Sequence, residues 1–251
     1  MSRTCLDQKI RNPTKYSSKR LRRGLLPREL LDLLHLTDAA LPSGGFAFSQ
    51  GLEAAFQLGL LRDPGSFRAY LAVHLEQVAL LEGQFVPSFY RLTVGLGKTA
   101  GELVEELAAF TTVPSQLRAS VALGRSWLRL FPRLYPKARS EAIAAWLARE
   151  PWPPLFPAVY GLTLAGARIP LEIALLAFLY MALRDQIQAG VRLGALGPLE
   201  AHALQHELHP LAARLAARAA RGSHRRARRS APVLDIIQGY HQELYSKLFQ
   251  S

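Results

Sequence analysis

The sequence predicts an all-α protein, a single compact bundle of roughly eight to ten helices. Two observations point there. Hydrophobic residues make up 49% of the 251 positions, with Leu and Ala dominant, a composition that favours helices over sheets. Apolar residues also recur at steps of three or four, as in Phe67, Leu71, Leu75, Val78 and Leu81. No alternating stretch is long enough for a sheet, and no internal repeat is present. A chain of this length can bury a sizeable core.

Taken in order, the leucine pattern from Glu29 to Ala40 predicts a first helix, with Leu30, Leu33 and Leu34 on one face. Pro42 stops it, because proline lacks an N–H and biases Leu41 away from helix. Gly44 and Gly45 then permit positive φ or a close approach to another surface. Ser49 is the expected N-cap of a second helix, 51–61, which Asp63-Pro64-Gly65 ends. Ser66 is expected to cap the third. Helical patterns resume at 102–110, 115–130 and 139–149, before Pro151-Trp152-Pro153-Pro154 forces an extended break. Helices at 157–166, 170–190, 198–209 and 232–249 complete the set, several with Pro in the first turn. Gly166, Gly190, Gly194 and Gly197 are expected to end helices or permit close packing.

The net charge of +12 is unevenly placed. Residues 1–28 hold nine Lys/Arg against Asp7, and residues 211–230 hold seven Arg and no acid. The remaining body is close to neutral. This divides the chain into a basic, disordered extension (1–28) and a helical domain (29–251). Within the domain, an Arg-rich linker at about 219–231 leads to a C-terminal interaction helix, 232–251. Cys5 is the only cysteine, so an intrachain disulfide is excluded and a reducing compartment fits. The longest strongly apolar run, Ile173 to Leu183, falls short of the roughly 18 residues a membrane span needs. With no apolar leader at the N-terminus, the expected location is cytoplasmic and away from membranes.

Several motifs imitate chemistry without supporting it. Gly95-Leu96-Gly97-Lys98-Thr99 resembles the end of a P-loop, but Leu92 stands where the first Gly is required and no strand precedes it. The expectation is a glycine-rich linker capped by Thr99. His202, His206 and His209 would share one helical face and suit nickel or zinc. Pro210 is expected to end that helix, and exposed or capping histidines are the plainer reading, so no metal ligand is assigned. Ser49 lacks the Gly-x-Ser-x-Gly elbow, Cys5 has no evident His partner, and Glu102, Glu105 and Glu106 form a polar helix face. No catalytic residue emerges, and the chain is read as a non-enzyme without a cofactor of its own. The tract Arg221 to Arg229 has no aromatics for base stacking, so specific nucleic-acid recognition is not expected. A basic helical nucleic-acid-binding protein and a stand-alone His-based nickel carrier are the alternative functions.

The stretch Asp38 to Glu53 organises the rest. On residue chemistry alone it is either a helix–turn–helix corner with Phe46 and Phe48 in the core, or an exposed, backbone-rich docking surface. Leu-Pro-Ser-Gly-Gly-Phe-Ala-Phe-Ser-Gln-Gly-Leu-Glu (41–53) resembles the signature of the urease accessory protein UreF family. Arg118-Ala119-Ser120 with Gly124, Pro157 to Gly161, and Arg192-Leu193-Gly194 with Gly197 are similar to further family segments in the same order. So is the ending from Pro232 through Asp235, His241 and Glu243 to Ser246-Lys247-Leu248-Phe249-Gln250-Ser251. Phe48 stands where many members carry Tyr or His, and Lys247 where they carry Arg. The usual His before Pro157 is missing, and neither basic tract has a family counterpart. The resemblance implies an all-α, non-catalytic partner of a UreD/UreH-type scaffold. It also implies recruitment of the GTPase UreG to apo-urease for nickel insertion, with homodimerisation. Pro42, Gly44, Gly45, Phe46, Ser49, Gly51, Leu52 and Glu53 would then meet the GTPase or a second copy. Asp235, His241, Leu244, Ser246, Lys247, Leu248, Phe249 and Ser251 would meet the scaffold or support assembly. By the same resemblance, nickel is handled by the complex.

Overall fold

Among the residues that the computed structural model describes (27–92, 98–136, 140–149 and 152–250), every regular element is helical. Most of the extension expected over 1–28, with Cys5, Gly95, Gly97 and Ser251, lies outside the described residues. The chain runs through α1 (Pro27–Leu36), α2 (Leu52–Gln57), α3 (Pro64–Leu80), α4 (Glu82–Tyr90), α5 (Lys98–Phe110) and α6 (Pro114–Leu134). It continues through α7 (Ser140–Arg149), α8 (Phe156–Gly166), α9 (Leu171–Arg192), α10 (Pro198–Ala219) and α11 (Pro232–Tyr240). Single 3₁₀ turns lie at Gly45–Ala47, His224–Arg226 and His241–Glu243.

The helix ends differ from expectation in instructive ways. Asp63, not Ser66, caps α3: its carboxylate accepts the Ser66 N–H at 2.9 Å, and Ser66 Oγ accepts the Asp63 N–H at 3.1 Å. This is a capping box with Ser66 in the return position. Gly51, at φ +94°, caps α2 where Ser49 was expected; the Ser49 carbonyl instead accepts the Leu52 N–H at 3.1 Å. Thr99 lies inside α5 rather than capping it. Helix α4 was not foreseen, because Gly83 to Pro87 and Phe89 are all buried and leave no amphipathic stripe to read. Helix α10 runs through Pro210 to Ala219. Pro210 is exposed, on the side where a carbonyl deprived of its donor meets water. The C-terminal helix stops at Tyr240, so Leu244 and Leu248 are not on it.

Helix α8 is the centre of the molecule. Pro157 to Leu164 are buried without a break, as expected of a helix enclosed on every side. It packs chiefly on α4 and α6, while α9 and α10 pack lengthwise beside them. Trp127 of α6 is fully buried among Phe131, Phe156 and Tyr160, with ring centroids 5.3–5.7 Å away. Its indole N–H donates to Thr163 Oγ1 at 2.9 Å, and the Tyr160 hydroxyl donates to the Ala174 carbonyl at 2.7 Å. The α4–α8 crossing depends on Gly161, where an added Cβ would stand 2.7 Å from the Val86 carbonyl oxygen. Gly124 meets the Pro154 carbonyl in the same way, and Ser120 Oγ accepts the Phe156 N–H at 3.0 Å. The segments around 118–124 and 157–161 are therefore packing devices.

Beneath α11 lies a polar seam around a cavity of about 20 Å³, lined by His74, Gln77, Glu82, Gln116, Asp235 and Gln238 among others. Gln77 Oε1 accepts the N–H groups of Ser230 and Ala231 at 2.7 and 2.9 Å. Burial lowers the His74 imidazole from 6.5 to about 4. It raises the Glu82 carboxyl from 4.5 to about 7, against the pull of Arg229.

Gly161→Ala should lower stability by about 1–3 kcal/mol through overpacking. Gly197→Ala, with nothing within 4 Å of the new methyl, should stay within about 0.5 kcal/mol in urea titrations. The seam sets opposing pH dependences. His74 stabilises the fold while neutral, a contribution lost as pH falls from 6.5 towards 4. Glu82 stabilises it while protonated, a contribution lost as pH rises from 4.5 towards 7. Relative to the unaltered chain, His74→Gln should gain stability on acidification across this window by about 2–3 kcal/mol. Glu82→Gln should lose it, by less, because Glu82 keeps some solvent contact.

Candidate functional site

The corner Leu41–Glu53 rests on α9 and is closed from above by the C-terminal tail. Backbone freedom makes the corner possible: Gly44 and Gly51 sit at φ +93° and +94°, values that L side chains rarely adopt. Gly45 meets a different constraint, since a Cβ there would lie 2.4 Å from Asp185 Oδ2. Asp185 accepts the Arg184 side chain at 2.6 and 2.9 Å, and Arg184 also donates to the Thr37 carbonyl at the end of α1. Burial raises the Asp185 carboxyl above its usual value, with Arg184 opposing. Gln186 Nε2 donates to the Ser49 carbonyl at 2.8 Å.

Glu53 is the hub. It is 1% exposed, in the first turn of α2, where the helix dipole favours a carboxylate. Its Oε2 lies 2.8 Å from His241 Nε2 and 3.2 Å from the Phe249 N–H; its Oε1 accepts the Leu248 N–H at 2.6 Å. Three donors thus satisfy a charge that burial would otherwise make costly. Two further bonds extend the latch: the Gln250 N–H donates to the Ala47 carbonyl at 2.9 Å, and Gln57 Nε2 to the Ser246 carbonyl at 3.0 Å. The Arg192 guanidinium lies 3.5 Å from the Phe46 ring centre and 4.3 Å from that of Phe249. It also donates to the Phe46 carbonyl.

The corner residues and the tail residues His241, Ser246, Leu248 and Phe249 are therefore brought together. Gly45, Ser49, Gly51, Leu52 and Glu53 are buried, as are His241 and Phe249; they shape the surface from inside. Pro42, Phe46, Ser246, Lys247 and Leu248 are exposed. Of the two aromatics read as a pair, Phe48 is in the core and Phe46 is 58% exposed. Leu244 is half-buried beyond the last 3₁₀ turn. Lys247 Nζ donates to the Gln242 carbonyl at 2.8 Å. Asp235 lies apart from the latch, paired with Arg229. A cavity of about 370 Å³ opens beside the corner, lined by Pro42, Phe46, Asp185, Gln188, Arg192 and Phe249 among others.

Sequence reasoning did not single out Arg184, Asp185 or Gln186, which hold the corner on α9 together with Arg192, a residue met there only as part of a family-like segment. A signal was present: a charged pair directly following the apolar run Ile173–Leu183 needs buried partners. His202, His206 and His209 are exposed on α10, and the His206 and His209 ring centres are 5.5 Å apart. Among the described residues no group of three or more His, Cys, Asp or Glu side chains is arranged to hold a metal. No described helix is long and apolar enough to cross a membrane.

Removing the hub carboxylate strands one imidazole and two backbone N–H groups. Glu53→Ala should cost about 3–5 kcal/mol in urea unfolding. His241→Ala should cost less and raise hydrogen-exchange rates at Leu248 and Phe249 first.

The family model for UreF matches residues 61–209. The chain is 31% identical over 232 residues to urease accessory protein UreF of Nitrosospira multiformis, covering 89% of this chain and 98% of that one. It is 33% identical over 223 residues to UreF of Mycolicibacterium vanbaalenii, at 88% and 99% coverage. It is 29% identical over 216 residues to urease accessory protein F of Oryza sativa subsp. indica, at 85% and 82%. With the family model spanning more than half of its length, and relatives aligned over nearly all of theirs, this chain belongs to the UreF family of urease accessory proteins.

Proposed function

We propose that the chain is a non-catalytic adaptor in urease maturation. It joins a UreD/UreH-type scaffold through α11 and the tail, and presents the corner to the GTPase UreG. The assembled complex then supports nickel insertion into apo-urease. Nickel is cargo of the assembly on this reading, and a second copy of the chain is a further partner. The work is done in the cytoplasm. One observation carries the proposal: Glu53 and His241, 188 residues apart in sequence, bond each other inside one surface built from both candidate stretches.

That surface has two outward faces. Val233, Ile236 and Tyr240 of α11 are 62%, 71% and 46% exposed and recur one helical turn apart, while Ile237 faces the bundle. An apolar stripe of this kind suits a groove in a partner protein. On the corner side, Phe46 stands out beside the cavity. Because the tail bonds the corner through Glu53, a scaffold that grips α11 holds the corner as well. Binding at one face thereby biases the other, which is coupling in the thermodynamic sense. The chain breaks no covalent bond; it shifts populations of its partners.

Co-purification with UreD- and UreG-like proteins, read against nickel-dependent urease activity, tests this. Val233→Asp with Ile236→Asp should weaken scaffold binding about tenfold or more, and Phe46→Asp should do the same for the GTPase while leaving the scaffold bound. Thermal unfolding of each variant checks the fold. Undiminished complexes with both variants would overturn the reading.

A further inference from the structure

The arginines of residues 211–230 divide into two kinds. Arg229 is spent inside the protein: its guanidinium takes both carboxylate oxygens of Asp235 and donates to the Phe110 carbonyl and to Gln116. Arg214, Arg218, Arg221, Arg225, Arg226 and Arg228 are exposed. Among the described residues none of these six has a carboxylate within 4.0 Å. Arg214 and Arg218 lie one turn apart on the outer side of α10, and Arg221, Arg225, Arg226 and Arg228 lie on the segment that leaves it.

That segment is not loose. Arg91 donates to the carbonyls of Ala220 and Gly222 at 2.5 and 2.7 Å. Ser88 Oγ accepts the His224 N–H at 2.9 Å. The Arg228 N–H donates to the Leu80 carbonyl at 3.0 Å, and Gln77 Oε1 receives the N–H groups of Ser230 and Ala231. The tract read from sequence as a linker is thus bonded to the bundle every few residues, while its guanidinium groups other than that of Arg229 stay exposed. The backbone entropy of ordering this surface is met by folding, before any partner arrives.

We propose that this strap is a preorganised docking site for a carboxylate-rich segment of another protein. Arg229 displays the chemistry: its fork takes a carboxylate by both oxygens, the geometry that sets Arg apart from Lys. Between Pro210 and Ala231 there is no Phe, Tyr or Trp to serve as the stacking platform that single-stranded nucleic acid uses, and the His224 ring lies against Phe85. The site shares no residue with the corner or the α11 stripe, and either proposal can fail without the other.

The test uses the full chain and a fluorescent twelve-residue glutamate-rich peptide at about 0.1 M salt, where longer-range attraction is already screened. Arg221→Gln with Arg225→Gln and Arg226→Gln should weaken peptide binding about tenfold or more. Lys19→Gln with Arg20→Gln and Arg22→Gln removes the same charge from the other basic tract and should change it less than about threefold. Gln77→Ala keeps every charge, frees the end of the strap at Ser230 and Ala231 next to the arginines and should weaken binding several-fold, a loss that plain electrostatic attraction would not produce. Equal losses from the two triple variants would overturn the proposal. So would tighter binding of a single-stranded or duplex oligonucleotide of matching charge, or no effect of Gln77→Ala in a variant that retains its melting temperature.

Discussion

A buried carboxylate decides how this chain closes. Glu53 is almost without solvent, and a charge in that position is stable only with donors around it. Its own helix offers the favourable end of a dipole; the other donors come from His241, Leu248 and Phe249, near the opposite end of the chain. Contacts of such sequence separation form only after the intervening chain is compact, because the loop they close is otherwise too long to hold. The tail therefore depends on the rest of the fold for its place. Its own apolar burial is small, with Ile237 and Phe249 the core members from the last twenty residues, so its order rests on polar bonds more than on packing.

This arrangement separates shape from contact. The glycines and buried polar groups of the corner set a backbone path that no other residue types would permit: Gly44 and Gly51 by their positive φ, Gly45 by the nearness of Asp185. The groups that reach solvent are few, namely Pro42, Phe46 and the tail residues beside them. The adaptor role proposed for this chain needs both properties. Its rigid interior keeps the outward groups in register, and the energy of meeting a partner is not consumed in ordering the surface.

The helical architecture was legible in the sequence because period and punctuation agreed along most of the chain. Prolines at 157, 198 and 232 mark first turns as expected; those at 64 and 114 do so too, although Pro64 reads as the end of the preceding helix and the helix after Pro114 reads as starting at Ser115. Errors arose where local rules met tertiary ones. Helix α4 hides because burial on every side erases the stripe by which a helix is recognised. Pro210 reads as a stop but is carried through in an exposed turn of α10. The tail reads as helix to Phe249, yet its N–H groups at 248 and 249 are claimed by Glu53. No local pattern discloses a partner so far away in the chain. The two stretches that meet at Glu53 stand out through the resemblance of their order, their partner roles remaining a proposal, whereas Arg184 and Asp185 beneath them announce themselves only as charges following an apolar run.

The same long-range logic explains where this basic protein uses its arginines. Helices end with carbonyls that lack donors, and four guanidinium groups answer them here. Arg184 reaches the carbonyl of Thr37 after α1, Arg229 that of Phe110 at the end of α5, and Arg91 those of Ala220 and Gly222 after α10. Arg192 does the same for Phe46 in the 3₁₀ turn of the corner. A cation at the carbonyl end of a helix also meets the negative end of its dipole. Three of these side chains make a second kind of contact with the same planar group, Arg184 with Asp185, Arg229 with Asp235, and Arg192 with the Phe46 and Phe249 rings, while Arg91 spans two carbonyls. An ammonium could fill one of those roles at a time, not both. The positive charge of the folded body is thus divided by geometry, one share stitching helix ends to the core and the other left outward along α10 and the strap that follows it.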